Sequence, residues 1–312
     1  RSLKPMTGCA MFQFDQSVQQ CLQGLGVSAR TPHLPFLIQP LTTGFKPQWL
    51  ELLVDNWLHP SQFDLRLLEQ LAQGYPLVLH GVNLSLGGAA PLDTAYLQSV
   101  KTIAESLGAL WYSEHLSFSG DDYFKTPDLL PMPYTSAAAN HLERRIQSVQ
   151  DIFQAPLVIE NISYYDHNNA QAEAEFFAEV IQRTGAKILF DVNNLYVNSQ
   201  NFEFSPQDYL KSIDCHAIVQ MHLAGHSIEH DDQGQQLLVD THSTPVIQEV
   251  LDLAKLVLNE NKNIAVNIEW DKDIPVWSEM QIYLQEIASE LNLGSAVCKA
   301  APAQNRASVH VE

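Results

Sequence analysis

Eight short apolar runs with polar ends, spaced by helix-length stretches, predict an α/β chain closed into a parallel TIM, or (β/α)8, barrel. The runs cover residues 25–30, 49–55, 75–80, 110–115, 156–160, 187–191, 218–222 and 264–269. They are rich in Val, Ile and Leu, as strands must be when buried between a barrel interior and a coat of helices. Six of them stop on His80, His115, Glu160, Asp191, His222 or Glu269. Strand C-termini form the functional face of such a barrel, so these side chains are expected to converge.

The elements follow in order. Residues 1–23 form an N-terminal extension, 24–292 the barrel domain and 293–312 a flexible C-terminal tail. The spacing predicts a helix over 60–74, capped by Ser61, with Phe63, Leu67, Leu68 and Leu71 on one face and Gly74 as its stop. Similar periodicity predicts helices near 92–107, 135–153, 170–184, 205–213, 244–259 and 278–291. Pro206 suits a first helical position. Alternating strands and helices imply parallel pairing with right-handed crossovers. Two connections, 117–133 and 224–240, are longer than a turn requires; both follow strand ends and are expected to shape a substrate groove.

Composition narrows the function. The 312 residues, 46% of them hydrophobic, suit one large barrel. No apolar stretch reaches the roughly eighteen residues of a membrane span, and the first residues have no apolar signal-peptide core. The cysteines Cys9, Cys21, Cys215 and Cys298 lack zinc-ribbon spacing and read as reduced thiols, so a cytoplasmic location is expected. With 17 basic and 36 acidic residues the formal charge is −19, which argues against nucleic acid as a partner and favours a neutral or basic one.

Nine donors are candidates for metal: His80, His115, Glu160, Asp191, Asn194, His222, Asp240, His242 and Glu269. That is too many for one catalytic ion, which takes three or four protein ligands, and fits two or three ions with bridging carboxylates. Imidazole and carboxylate without thiolate favour Fe, Mn or Zn. Carboxylates crowded in a buried mouth need cations or protons to offset a desolvation penalty of several kcal/mol per ion. His226 fits a ligand, a support or a substrate contact, and Glu114 is expected to point away from the interior if His115 points in.

The motifs His80-Gly-Val-Asn-Leu-Ser-Leu-Gly87, Ser113-Glu-His-Leu116, Glu160-Asn161, Asp191-Val-Asn-Asn194, His222-Leu-Ala-Gly-His226, Asp240-Thr-His242 and Glu269-Trp-Asp271 occur in that order. In them, and in Pro127-Asp-Leu-Leu-Pro-Met-Pro-Tyr-Thr135, the chain resembles the multinuclear non-haem iron-dependent oxidative enzymes, the family of the methanobactin biosynthesis oxidase. The resemblance implies a xylose-isomerase-like TIM barrel holding two or three irons of mixed ferrous and ferric state, with O2 as co-substrate. It implies a ribosomally made precursor peptide as substrate, modified at cysteine or adjacent backbone, and a separate leader-peptide-binding partner protein. One iron would be held by His80, His115 and Glu160. A central one would take Glu160 as a bridge with Asp191, His222 and Glu269, and a third Asn194, Asp240 and His242. Arg30, His33, Asp55, Asn193 and His226 would support the ligands or touch substrate.

The chain also departs from the family pattern. Where the second strand commonly reads Glu-x-His-x-Glu-Asn-Tyr, this chain has Glu51-Leu-Leu-Val-Asp-Asn-Trp57, with Leu53 and Asp55 at the His and second Glu positions. Rival readings are a zinc-dependent abasic-site endonuclease, a sugar isomerase and a non-catalytic metal-binding scaffold. The charge and Asn194, where the endonuclease has a His, argue against the first.

Overall fold

The computed structural model describes residues 22–40, 43–120, 125–165, 170–230 and 234–294. Nearly all of the expected tail and of the N-terminal extension, with Cys9, Cys21 and Cys298, lie outside these residues. Eight parallel strands close a barrel: β1 (Gly24–Ser28), β2 (Leu50–Leu53), β3 (Leu77–His80), β4 (Tyr112–His115), β7 (Val158–Glu160), β8 (Lys187–Asp191), β9 (Ile218–Leu223) and β12 (Ala265–Ile268). They pair in sequence order around the ring, and β12 closes on β1 through Gly24 opposite Ala265. The remaining strands form two antiparallel hairpins, β5 (Phe118–Gly120) with β6 (Lys125–Leu130), and β10 (Ser227–His230) with β11 (Gln236–Val239). Each hairpin lies in one of the two long connections, on the C-terminal face.

Helices form where apolar spacing and caps coincide. Ser61 and Asp64 make a reciprocal capping box at the start of Gln62–Gly74. Thr135 and Ser205 cap Ser136–Phe153 and Pro206–Ser212 through their side chains. The helix Val192–Asn201 was not expected, because its buried face carries Asn193, Asn194 and Asn198 among Val192, Leu195 and Val197. Among the described residues, no helix is long and apolar enough to cross a membrane.

The barrel interior changes character over two residues per strand. Trp49, Val78, Trp111, Val158, Leu189, Val219 and Ala265 form a closed apolar cluster at its base. Because side chains alternate faces along a strand, Glu51, His80, Ser113, Glu160, Asp191 and Asn267 face the same interior two residues further on. On β9 a register shift opposite Ile188 and Leu189 lets Val219 join the base while Gln220 and His222 face the polar layer. Gly26 makes room for the base: a Cβ there would stand 2.4 Å from the Trp49 ring.

Candidate metal centre

His80 and His115 arrive on neighbouring strands and face Glu160. His80 Nε2 lies 3.3 Å and His115 Nε2 3.1 Å from Glu160 Oε2. Neither contact has hydrogen-bond geometry, and Glu160 Oε2 is buried without a hydrogen-bond partner. The other ring nitrogens explain this. His115 Nδ1 lies 3.1 Å from the Gly81 carbonyl, which only accepts. His80 Nδ1 lies 2.9 Å from Ser113 Oγ, whose proton goes to the Leu79 carbonyl. Both rings therefore carry their proton on Nδ1 and turn an Nε2 lone pair towards a carboxylate. Burial lowers both imidazole pKa values, that of His115 to about 4. Two lone pairs facing a carboxylate are resolved by a proton or by a cation held between them.

His222 occupies the centre. Its Nε2 lies 2.8 Å from Glu51 Oε2, while Nδ1 faces Glu269 Oε2 at 3.0 Å, Glu160 Oε1 at 3.2 Å and Asp191 Oδ2 at 4.0 Å. His222 Nδ1 and Asp191 Oδ2 also lack hydrogen-bond partners. Glu160 thus divides its oxygens, Oε2 towards His80 and His115 and Oε1 towards His222. Burial opposes a charge on His222, but Glu51, Glu269 and Glu160 outweigh it and hold the imidazolium well above its usual range. Burial, with Asp240 and Glu160 nearby, raises the Asp191 carboxyl well above the carboxylate range. A metal ion would take the place of those protons. Asp191 Oδ1 caps the helix Val192–Asn201 by accepting from the Asn194 amide at 2.7 Å.

The third group forms around His242. His242, held at φ +48°, has Nε2 at 2.8 Å from Asp240 Oδ1. Its Nδ1 faces Asp271 Oδ2 at 3.3 Å and Glu269 Oε2 at 3.5 Å. Among the described His, Cys, Asp and Glu residues, the donors around it that lie mutually within 4.8 Å are those of His242, Glu269 and Asp271. The other two sets meeting that distance are His80, His115 and Glu160, and Glu160, Asp191, His222 and Glu269. Asn194 Oδ1 is buried without a partner, while its amide nitrogen donates to the Asn161 carbonyl. Asn193 bridges, donating to Asp240 Oδ1 at 2.7 Å with its Oδ1 2.8 Å from His226 Nδ1.

Of the remaining expected residues, Arg30 contacts these groups directly, whereas His33 and Asp55 make their hydrogen bonds elsewhere. Arg30 pairs with Glu269 at 3.0 Å and with Asp271. Burial lowers its basicity, but Asp271 and Glu269 more than restore it. Asp55 accepts from the Val82 amide and Asn83 Nδ2, tying the turn after β2 to the loop behind His80. His33 packs edge-on against Trp277, with Nε2 2.8 Å from the Pro275 carbonyl. Glu114 lies behind His115, bonded by Tyr112 and the amides of Leu84 and His115. Burial raises its carboxyl to about 8.

Sequence reasoning left Glu51 and Asp271 without a role. Glu51 is fully buried and accepts from Ser28, Gln220 and Asn267 as well as facing His222. Gln220 in turn accepts from Trp111 Nε1 at 2.7 Å. Burial opposes ionisation of Glu51, but His222 outweighs it and holds the carboxyl at about 2. The signal was present: an acid two residues after Trp49 shares the inward face of an otherwise apolar strand.

A family model described as "RiPP precursor modification enzyme MbnB/TglH/ChrH" matches residues 24–292. The chain belongs to this family. Its relatives include a UPF0276 protein of Caulobacter vibrioides, 34% identical over 282 residues, covering 89% of this chain and 95% of that one. Among solved structures, the barrel is similar to a xylose isomerase domain-containing protein of Salmonella typhimurium. That match has TM-score 0.56 and 14% identity, covering 86% of this chain and 97% of the other. Endonuclease IV of Thermus thermophilus also has TM-score 0.56, with 16% identity and coverage of 86% and 99%. At these identities the two structures show the xylose-isomerase-like fold alone. Membership of the MbnB/TglH/ChrH family places the chain among enzymes that modify ribosomally made peptides.

Proposed function

We propose that this protein is a multinuclear non-haem iron, O2-dependent oxidase that modifies cysteine, or backbone beside it, in a ribosomally made precursor peptide. The observation that carries the reading is the set of buried donors left without hydrogen-bond partners: Glu160 Oε2, Asp191 Oδ2, Asn194 Oδ1, His222 Nδ1 and His242 Nε2. Five such atoms at one mouth, on two carboxylates, an amide and two imidazoles, fit hard or borderline cations. His80, His115 and Glu160 would hold one ion, and Asp191, His222 and Glu269, with Glu160 shared, a second. His242 would hold a third with Glu269 and Asp271, or with Asp240 and Asn194.

When bound, the irons would supply electrons for O2 reduction and a place where a substrate thiolate and O2 meet, gaining the advantage of proximity. The chain's own residues do the rest. Gly81 and Ser113 keep the Nδ1 protons of His115 and His80, and Glu51 takes that of His222 Nε2, so each ring offers a fixed lone pair. Arg30 restrains Glu269 and Asp271. Asp271, 42% exposed, lies on the solvent side of the mouth, where a peptide would enter. A leader-binding partner protein and a cytoplasmic location belong to the same reading.

The test is anaerobic purification with metal analysis, Mössbauer spectra before and after O2, and O2 uptake with cysteine-containing peptides. Magnetically coupled irons and peptide-dependent O2 uptake are expected. Zinc alone, or no O2 uptake with any peptide, would replace this reading by a hydrolase or a metal-binding scaffold.

A further inference from the structure

Beside the metal mouth one strand edge is left open. β10 pairs only with β11 among the described residues, in the register Ser227 to Val239, Ile228 to Leu238, Glu229 to Leu237 and His230 to Gln236. The far edge of β11 is closed, because Asn201 accepts from the Leu238 amide and donates to its carbonyl, both at 2.9 Å. Leu238 therefore turns its peptide groups away from β10. In an antiparallel pair, residues directly opposite turn these groups the same way, both inward or both outward. Ile228, opposite Leu238, thus presents its N–H and C=O to the open side of β10, and His230 does so by alternation.

Natural sheets blunt such edges with Lys, Pro or a bulge. In the other hairpin, the pairing of β5 with β6 is irregular between Phe118 and Gly120. β10 contains no Lys, Pro or bulge, and Ile228 is 60% exposed. The hairpin is firmly set at its base. A Cβ on Gly225 would stand 2.0 Å from the Thr244 carbonyl oxygen, and Thr244 Oγ1 donates to the His226 carbonyl. Both of its strands meet the mouth there, through His226 at Asn193 and Asp240 at His242.

We propose that the open edge of β10 is the docking strand for the substrate: a basic peptide segment adds to it in extended form and leads the residue to be modified into the metal mouth. This rests on the reading of the substrate as a peptide. At about 3.3 Å per residue, Ile228 lies roughly two residues, or about 7 Å, from the mouth residue His226, so a docked strand delivers a neighbouring position there. Main-chain bonds to Ile228 and His230 supply affinity without demanding one sequence. Charge selects the occupant: Glu229 is exposed on the strand, Asp240 and Asp271 flank the mouth, and the chain carries −19.

The probe is a fluorescent peptide of about twelve residues, roughly 40 Å extended, alternating lysine and valine around one cysteine. Anisotropy is read with the metal-free and the metal-loaded protein. Binding in both states is expected, weakening with salt and at least tenfold weaker in Ile228→Pro. That change removes an N–H that makes no bond within the hairpin, and an edge strand tolerates proline. Glu229→Lys should weaken binding while leaving the fold unchanged. Peptides N-methylated on alternate amides should separate into one set that binds and one that does not.

Equal binding by Ile228→Pro, or no binding by the unaltered protein, overturns the proposal. So does a concentration-dependent dimer that Ile228→Pro abolishes, which would assign the edge to a second copy of the chain. The outcomes separate from those for the oxidase reading. Absent O2 uptake with binding through Ile228 intact sinks the activity alone, whereas equal binding sinks the docking strand alone.

Discussion

The two levels of the barrel interior are built on the same strands and differ in almost everything else. At the base, Trp49, Val78, Trp111, Val158 and Leu189 exclude water and satisfy one another by packing. Two residues on, Glu51, His80, Ser113, Glu160 and Asp191 are just as buried, but Glu160 and Asp191 each leave a carboxylate oxygen without a hydrogen-bond partner. The contrast teaches where the stability resides. The base folds the barrel and closes it below, so that the mouth can carry a charge arrangement that would be destabilising by itself.

The sharpest way to break this division lies on β2. Trp49→Ala should cost about 3–5 kcal/mol of unfolding free energy in urea, and protein that remains folded should keep its metal. If metal content fell in proportion to stability, base and mouth would not be separable.

A buried carboxyl outside the three donor groups sharpens the comparison. Glu173 accepts from Tyr209, but its Oε2 has no hydrogen-bond partner and no cationic side chain pairs with it among the described residues. Burial raises its carboxyl from 4.5 to about 7, a proton serving where the mouth would use metal. The folded protein holds this proton more tightly than the unfolded chain. Its stabilising contribution is therefore complete below about pH 4.5 and lost as pH rises through about 7. The displacement corresponds to roughly 3 kcal/mol. Glu173→Gln should lack this slope, so its stability relative to the unaltered protein should improve by about that amount between pH 4.5 and 8. Parallel pH profiles would contradict the assignment.

Smaller again is Glu51→Gln, two residues from Trp49. It keeps the shape but weakens the hold on the His222 Nε2 proton, and should cut metal affinity about 10–100-fold. Unchanged affinity in competition with a chelator would leave Glu51 as core packing alone.

Much of this architecture was legible from the chain alone, for identifiable reasons. Parallel buried strands read as continuous apolar runs, and their polar C-terminal residues marked the mouth. The run 187–191 coincides with β8, and 170–184 with the helix Ala170–Thr184. What escaped was where polarity and burial part company. The asparagine-rich helix Val192–Asn201 reads as loop, because its amides are satisfied by distant backbone such as the Asn161 and Ile162 carbonyls. The two hairpins are short and broken by Gly or Pro, so each read as a long loop. Glu51 read as motif rather than as a partner of His222, and Asp271 joined the His242 group through a tertiary contact that no local pattern encodes.

The central claim, that several cations are caged at one mouth with Glu160 between them, is tested most directly by counting metal in the anaerobically purified protein and in Glu160→Gln. Two or more irons per chain, falling by more than one equivalent in the variant while Trp49→Ala retains them, is the predicted result. A single ion, or a variant that loses one equivalent or none, would contradict it.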